Sequence, residues 1–314
     1  MHDDNISVVI PTYGEGRFLR DVLQALAHQT YDCFNVTVVD NNEFPSAWPI
    51  CEPFTPRVAF IHCPQRGLSA ARNAGIGATR GEYVAFLDDD SVPERTWAAE
   101  LHNGLCRYKC AAAGGRVELA FDGCLPDWYP QELRFLLSEL RYEGADIPAI
   151  ADAQYVVGAN FCVARRYLEA VGDFRLDFGR YGSCLRSSEE LELCKRIIKS
   201  GGRVAFLSAP VVWHHIQEHR YTFKYLLKRS LWQGRSDAYL EVLHGRPVAF
   251  GRRSNLRNLV ELLRRVCLFA LCTDRTDAVL ATANLVREYG YLIGYLKTTI
   301  LNIGFQSAMD RKRV

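Results

Sequence analysis

Ala85-Phe86-Leu87-Asp88-Asp89-Asp90-Ser91-Val92-Pro93 decides the reading of this chain. The apolar run from Tyr83 to Leu87 stops abruptly at three consecutive carboxylates. A buried strand that ends in adjacent acids delivers like charges to the edge of a sheet. Such charges repel one another and are costly to desolvate, so they call for a cation partner. Hard oxygen ligands on one rigid strand end suit Mg2+ or Mn2+, and Mg2+ characteristically takes substrate phosphates as further ligands. The stretch therefore reads as a metal–diphosphate site.

Outward from it, β-branched and apolar runs at residues 6–10, 36–39, 58–62 and 83–87 predict strands. Phe18, Leu19, Val22, Leu23 and Leu26 recur at helical spacing, and a small-residue segment follows Gly67, predicting helices over 17–28 and 68–78. This alternation predicts an α/β fold with a doubly wound, mostly parallel, Rossmann-like sheet. Ligands of such sheets bind beyond the carboxyl ends of the strands. Pro11-Thr12-Tyr13, Asp40-Asn41 and Asp88-Asp89-Asp90 all fall at such ends. Further on, an antiparallel strand is expected over 117–120, a helix over 131–142, a strand over 158–163 and a helix over 189–199. Strands are expected over 203–207 and 211–213. From Tyr221 the pattern is helical. A boundary near 218 divides the chain into a catalytic domain, 1–218, and a C-terminal helical region, 219–314.

The bulk numbers exclude several classes. With 314 residues, 48% hydrophobic and 24% charged, the composition is that of a globular protein, and a net charge of +2 gives no electrostatic case for nucleic acid. The 11 cysteines are odd in number and form no Cys-x-x-Cys pair, which points to a reducing compartment rather than a disulfide framework or zinc ribbon. Cys162, Cys267 and Cys272 sit in apolar contexts as small core residues. The polar start Met1-His2-Asp3-Asp4-Asn5 does not read as a signal peptide, and no apolar run approaches the roughly 18 residues of a membrane span. A cytoplasmic protein is expected.

Four further segments could carry chemistry. The helix opened by Gln65-Arg66-Gly67 offers N–H groups to an anion, with Arg72 as a fixed fork for phosphate or a base carbonyl; alternatively Arg72 is simply exposed. Ser187-x-x-Glu190 matches a capping box, while the same Glu190 at a helix start could serve as a general base. In Trp213-His214-His215, alternation sends the histidines to opposite faces, so one can complete the metal site. Arg229, Trp232 and Arg235, three residues apart on a helix, can hold phosphate or stack a sugar, or form a snorkelling surface stripe.

In this order, these residues resemble the nucleotide-sugar glycosyltransferases of family 2, which have the GT-A-type fold. The matching segments are Val8-Val9-Ile10-Pro11-Thr12-Tyr13, Val38-Val39-Asp40-Asn41-Asn42, Arg66-Gly67-x4-Arg72-Asn73-x-Gly75, Phe86-Leu87-Asp88-Asp89-Asp90 and Glu189-Glu190-x-Glu192-Leu193, followed by His214. The resemblance implies that Pro11, Thr12, Tyr13 and Glu15 line a nucleotide pocket, that Asp40 and Arg72 hold the base, commonly uracil, and that Asp89 lies near the ribose. It implies that Asp88 and Asp90 form the Asp-x-Asp metal motif, with His214 as a further ligand for Mn2+ or Mg2+. Glu190 falls where the family usually has the aspartate of a Glu-Asp motif, and the longer side chain leaves open whether Glu190 or Glu189 is the base. The stretch from Gly158-Ala159-Asn160 through Arg220 to Gln233-Gly234 looks like non-processive members that build surface polysaccharides, and the processive signature Gln-x-x-Arg-Trp is absent. Asn160, Arg229 and Trp232 are then candidates for contacts to the donor sugar or acceptor.

The expected activity is inverting transfer of a sugar from a nucleoside-diphosphate sugar, commonly UDP-linked, to a saccharide or lipid-linked saccharide. The rivals are a sugar nucleotidyltransferase, an aspartate-nucleophile phosphatase built on Asp88-x-Asp90, and a non-catalytic carbohydrate-binding relative. Arg252, Arg253, Arg257, Arg264 and Arg265 flank Leu259, Leu262 and Leu263, a basic amphipathic pattern that suits peripheral contact with the inner face of an anionic membrane or a homodimer through the C-terminal helices.

Overall fold

The computed structural model describes residues 6–151, 154–245 and 274–299. The chain divides into two compact units. The first comprises the chain up to Ala120, Ser138–Gly182 and Glu189–Ile216; the second comprises Phe121–Leu137, Ser183–Ser188 and the chain from Gln217 onward.

The first unit is a mixed sheet with helices on both faces. Its strands are β1 (Ile6–Thr12), β2 (Phe34–Asp40), β3 (Val58–His62), β4 (Tyr83–Leu87), β5 (Ser91–Pro93), β6 (Ala112–Phe121), β7 (Asn160–Ala164) and β8 (Val204–Ile216), in the order β3-β2-β1-β4-β7-β6-β8-β5. Its helices are α1 (Leu19–Ala27), the short α2 (Trp48–Cys51), α3 (Leu68–Ala78), α4 (Trp97–Tyr108), α5 (Arg165–Val171) and α6 (Glu189–Lys199). The first four strands in chain order pair in parallel, and β7 joins antiparallel to both β4 and β6.

Burial on both faces explains why the parallel strands read as unbroken apolar runs. In β1, Ile6, Val8 and Ile10 face one core with α1 and α4, while Val9 faces the other with α3 and α6. In β4, Ala85 and Leu87 join the first core and Val84 and Phe86 the second. The small residues of α3 let it lie against β1: a Cβ on Gly75 would stand 2.2 Å from Cγ1 of Val9. Here only glycine permits the approach.

The strands and helices expected up to residue 87 form, with shifts at their ends. β1 runs past Pro11 to Thr12, because its pairing with β4 ends at Val9↔Phe86 while that with β2 continues to Thr12↔Asp40. Two corrections lie further on. The segment 131–142 is not an α-helix: a 3-10 helix spans Gln131–Leu137, Ser138 takes φ +72°, and Leu140 bridges to Val117. The two strands expected over 203–213 are one, β8, which continues through Ser208-Ala209-Pro210 to Ile216. Asp146 holds both the Ser208 N–H and its hydroxyl at 2.8 Å, which keeps this turn-like sequence extended.

In the second unit, α7 (Phe223–His244) packs against α8 (Arg275–Thr299). Gly234 and Gly290 let the two backbones touch, and Asp237 accepts from Arg287 at 2.7 Å and from Gln233 at 2.7 Å. None of the helices among the described residues is long and apolar enough to cross a membrane. The basic stretch from Arg252 to Arg265 and Cys267 and Cys272 lie outside the described residues; Cys162 is fully buried.

Candidate active site

The acids after β4 meet a histidine because of a strand that the sequence did not reveal. β5 pairs antiparallel with β8 in the register Ser91↔His214, and the His215 N–H donates to the Asp90 carbonyl at 2.8 Å. Nε2 of His214 then lies 3.1 Å from Oδ1 of Asp90. Asp88, Asp90 and His214 each bring one ligand atom within 4.8 Å of the others. Two carboxylates and an imidazole form a hard, mixed oxygen–nitrogen set that fits a divalent cation such as Mn2+ or Mg2+. His215 points the other way, as alternation requires, and its ring stacks on Phe18 at 4.5 Å.

Asp89 is oriented differently. Its Oδ2 accepts from the Thr12 hydroxyl at 2.5 Å. Burial, together with the charges of Asp90 and Asp88, pushes its pKa up to about 7 against the pull of the Thr12 hydroxyl and the Tyr13 N–H.

Asp40, at the end of β2, is fully buried. Its Oδ1 accepts from the Asn42 N–H at 2.9 Å, and its Oδ2 from the N–H groups of Ser46 and Ala47 at 2.6 and 2.8 Å. Burial alone would raise its pKa, but these bonds outweigh it and hold the carboxyl below its ordinary value. Asp40 therefore shapes the 42–47 loop. Asn41 and Asn42, not singled out from the sequence as site residues, complete the frame. The Asn41 amide donates to the carbonyls of Cys63 and Gln65 and accepts from the Gly67 N–H. Asn42 Oδ1 accepts from the Gly14 N–H at 2.9 Å. Pro11 is buried, while Tyr13 and Glu15 stand exposed beyond the end of β1.

Arg72 is neither exposed nor open to solvent: its side chain is 1% exposed. Nη2 lies 3.0 Å from Asp88 Oδ1 and Nη1 lies 2.8 Å from Glu189 Oε1. Burial works against the charge, but Asp88, Glu189 and Glu190 outweigh it and hold the guanidinium above its ordinary value. The first N–H of α3, that of Leu68, donates to the Arg180 carbonyl at 3.0 Å.

Glu189 and Glu190 open α6. The capping box expected at Ser187 is replaced, because the Ser187 N–H donates to Ser236 Oγ and its hydroxyl to Gln233 Oε1. Oε2 of Glu190 and Oε2 of Glu189 are both sealed from solvent without a hydrogen-bond partner. Burial and the neighbouring Glu189 push Glu190 up to about 8, against the opposing pull of Arg72.

Three other candidates remain. Asn160 is 1% exposed, accepts from Trp97 Nε1 and donates to the carbonyls of Arg116 and Pro210, so its amide is spent on joining β6, β8 and α4. Arg229 and Trp232 belong to the second unit, where Arg229 is buried and Arg235 stacks over the Trp232 ring at 5.0 Å.

Residues 7–172, just over half of the chain, match the model of glycosyl transferase family 2. The chain belongs to that family. It is 28% identical over 247 residues to the glucosyl-dolichyl phosphate glucuronosyltransferase of Haloferax volcanii, covering 76% of this chain and 78% of that protein. It is 27% identical to the succinoglycan biosynthesis protein ExoM of Rhizobium meliloti, over 67% of this chain and 66% of that protein. Among solved structures it resembles the mannosyltransferase PcManGT of Pyrobaculum calidifontis in complex with GDP-Man and Mn2+, with a TM-score of 0.59 and 17% identity over 94% of this chain and 88% of that one. It also resembles S. aureus TarS 1-349 in complex with UDP-GlcNAc, with a TM-score of 0.54 and 14% identity over 93% and 90%. The fold is thus that of the GT-A glycosyltransferases, and family membership removes the nucleotidyltransferase and phosphatase readings.

Proposed function

We propose that this family 2 glycosyltransferase is an inverting, metal-dependent enzyme. It moves a sugar from a uridine-diphosphate donor to a hydroxyl of a saccharide or lipid-linked saccharide in glycan biosynthesis. One observation carries the reading: Glu190, whose Oε2 is buried with no hydrogen-bond partner, directly follows Glu189, which Arg72 ties to the acid-bearing end of β4.

The donor lies over the ends of β1, β2 and β4, lined by Pro11, Thr12, Tyr13 and Glu15, with Asp40 and Asn42 holding the loop beside it and Asp89 near the ribose. Asp88, Asp90 and His214 would hold Mn2+ or Mg2+, which when bound offsets charge on the leaving diphosphate. Glu190, in its ionised form, takes the proton of the acceptor hydroxyl, so transfer should strengthen as pH rises toward about 8. The acceptor oxygen bonds to the anomeric carbon from the face opposite the diphosphate. The bond between that carbon and the diphosphate oxygen breaks, and its electron pair leaves with the nucleoside diphosphate. Glu189 is the weaker candidate for base, because its Oε1 is committed to Arg72 at 2.8 Å. The relatives that act on a dolichyl phosphate-linked glucoside and in succinoglycan biosynthesis support an acceptor of the saccharide or lipid-linked class.

The test is a panel of nucleotide sugars incubated with Mn2+ or Mg2+, with nucleoside diphosphate release and the anomeric configuration of the product followed by NMR. Release from a UDP-sugar with inverted configuration is the expected result. Retained configuration would remove Glu190 from the role of base, and no release with any donor would leave a carbohydrate-binding relative.

A further inference from the structure

Arg72 sits in a socket that the fold has built around it. A Cβ on Gly158 would stand 2.5 Å from its Nη2, 2.8 Å from its Nη1 and 2.9 Å from its Cζ. The rings of Phe174 and Phe86 lie 5.5 and 5.9 Å from the guanidinium carbon. A nucleobase carbonyl needs an N–H presented to the donor pocket, yet this side chain is 1% exposed and its two Nη atoms bond to different carboxylates.

We propose that Arg72 is a positioning residue for the transfer step rather than a contact to the nucleobase. It braces the end of β4 against the first turn of α6. This inference rests on Glu190 being the base. Nη1 fixes Oε1 of Glu189, which pins the residue next to Glu190 and commits the charge of Glu189, so that Glu190 is left to accept the proton. Nη2 fixes Oδ1 of Asp88, and one rigid group thereby sets the spacing between the acids that face the donor and the base that faces the acceptor. The planar fork spans two acids in separate directions, which a lysine ammonium on its flexible stem does not reproduce. Gly158 is the steric condition for this arrangement, since any side chain there displaces the fork.

The experiment compares the wild type with Arg72→Lys by calorimetric titration of UDP with chelator in place of metal, so that any effect on Asp88 as a metal ligand is left out, and by steady-state kinetics with the donor. A brace leaves UDP affinity within about threefold and lowers kcat by about 10²-fold, the scale of an ångström-sized misplacement of reacting groups. Glu189→Gln, which keeps shape and removes the charge that Arg72 grips, is the second variant and covers a failure of Arg72→Lys to fold. It should show the same kcat loss with unchanged UDP affinity, and where both fold the double variant should be no worse than either single one. A loss of UDP affinity beyond tenfold in Arg72→Lys identifies a nucleobase contact and overturns the proposal, as does an unchanged kcat in the variants that fold. Full activity of Glu190→Gln removes the base assignment instead, a separate result that these two variants do not produce.

Discussion

Nε2 of His214 lies 3.1 Å from Oδ1 of Asp90 because Ser91 and His214 are register partners between β5 and β8. Residues far apart in the chain become one donor set through a strand of three residues. Asp90→Ala and His214→Ala should each lower metal-supported turnover by about 10²-fold, comparable to losing one preorganised electrostatic stabiliser. The double variant should fall little further, because both changes dismantle one cation site. Titration of activity with Mn2+ after chelation measures this, and additive losses would mean that the two residues act separately.

Glu190→Gln should fold normally and lose about 10²- to 10⁴-fold in kcat, the range of general base catalysis. Its donor affinity should hold. Steady-state kinetics beside a nucleotide titration separates the two readings, and retained kcat would move the base elsewhere.

The same residue predicts a pH dependence of stability. Burial and Glu189 raise Glu190 from the ordinary 4.5 to about 8 in the folded chain. The folded state therefore holds a proton that the unfolded state releases. The stabilisation is complete below about 4.5 and is lost as pH rises through about 8. The melting temperature of wild type minus that of Glu190→Gln should fall across this window, and a flat difference would contradict the burial of the carboxyl.

Asp40 behaves in the opposite sense. Its carboxyl accepts N–H groups from Asn42, Ser46 and Ala47, and its folded pKa lies below the ordinary 3.8. Its contribution is present above that ordinary value and disappears as pH falls through the folded one. Asp40→Asn, which loses an acceptor oxygen and brings N–H donors among donors, should cost about 1–3 kcal/mol in urea unfolding at neutral pH. No loss there would mean that the 42–47 loop is held by other bonds.

Much of this was legible in the chain. The parallel core was readable because β1, β2 and β4 are buried on both faces, which leaves continuous β-branched runs that nothing polar interrupts. Asp88, Asp90 and His214 stood out because acids at a strand end and a histidine after a strand are chemically conspicuous. Their meeting was not readable. It depends on β5, whose sequence Ser91-Val92-Pro93 is too short to show alternation and contains a proline. The continuity of β8 was hidden by Ser208-Ala209-Pro210, which reads as a turn until Asp146 supplies the missing partner. Asn160 carried a polar signal that the fold spends on Trp97, Arg116 and Pro210. The burial of Arg72 depends on Gly158 and Phe174, distant in sequence and silent about their neighbour.

Gly75 tests the close packing of α3 on β1. Gly75→Ala would place a Cβ 2.2 Å from Val9 Cγ1, so overpacking should destabilise the protein by about 1–3 kcal/mol despite the better helix propensity of alanine. Urea unfolding measures it, and a stabilised variant would show that the helix can move away at no cost.

The most direct measurement is calorimetric titration of UDP into the wild type and Asp90→Ala, each with Mn2+ and with chelator. The expected result is binding by the wild type with Mn2+ that weakens at least about tenfold on chelation, with Asp90→Ala insensitive to the metal. Equal affinity under all four conditions would contradict a donor held through a cation on the acids after β4.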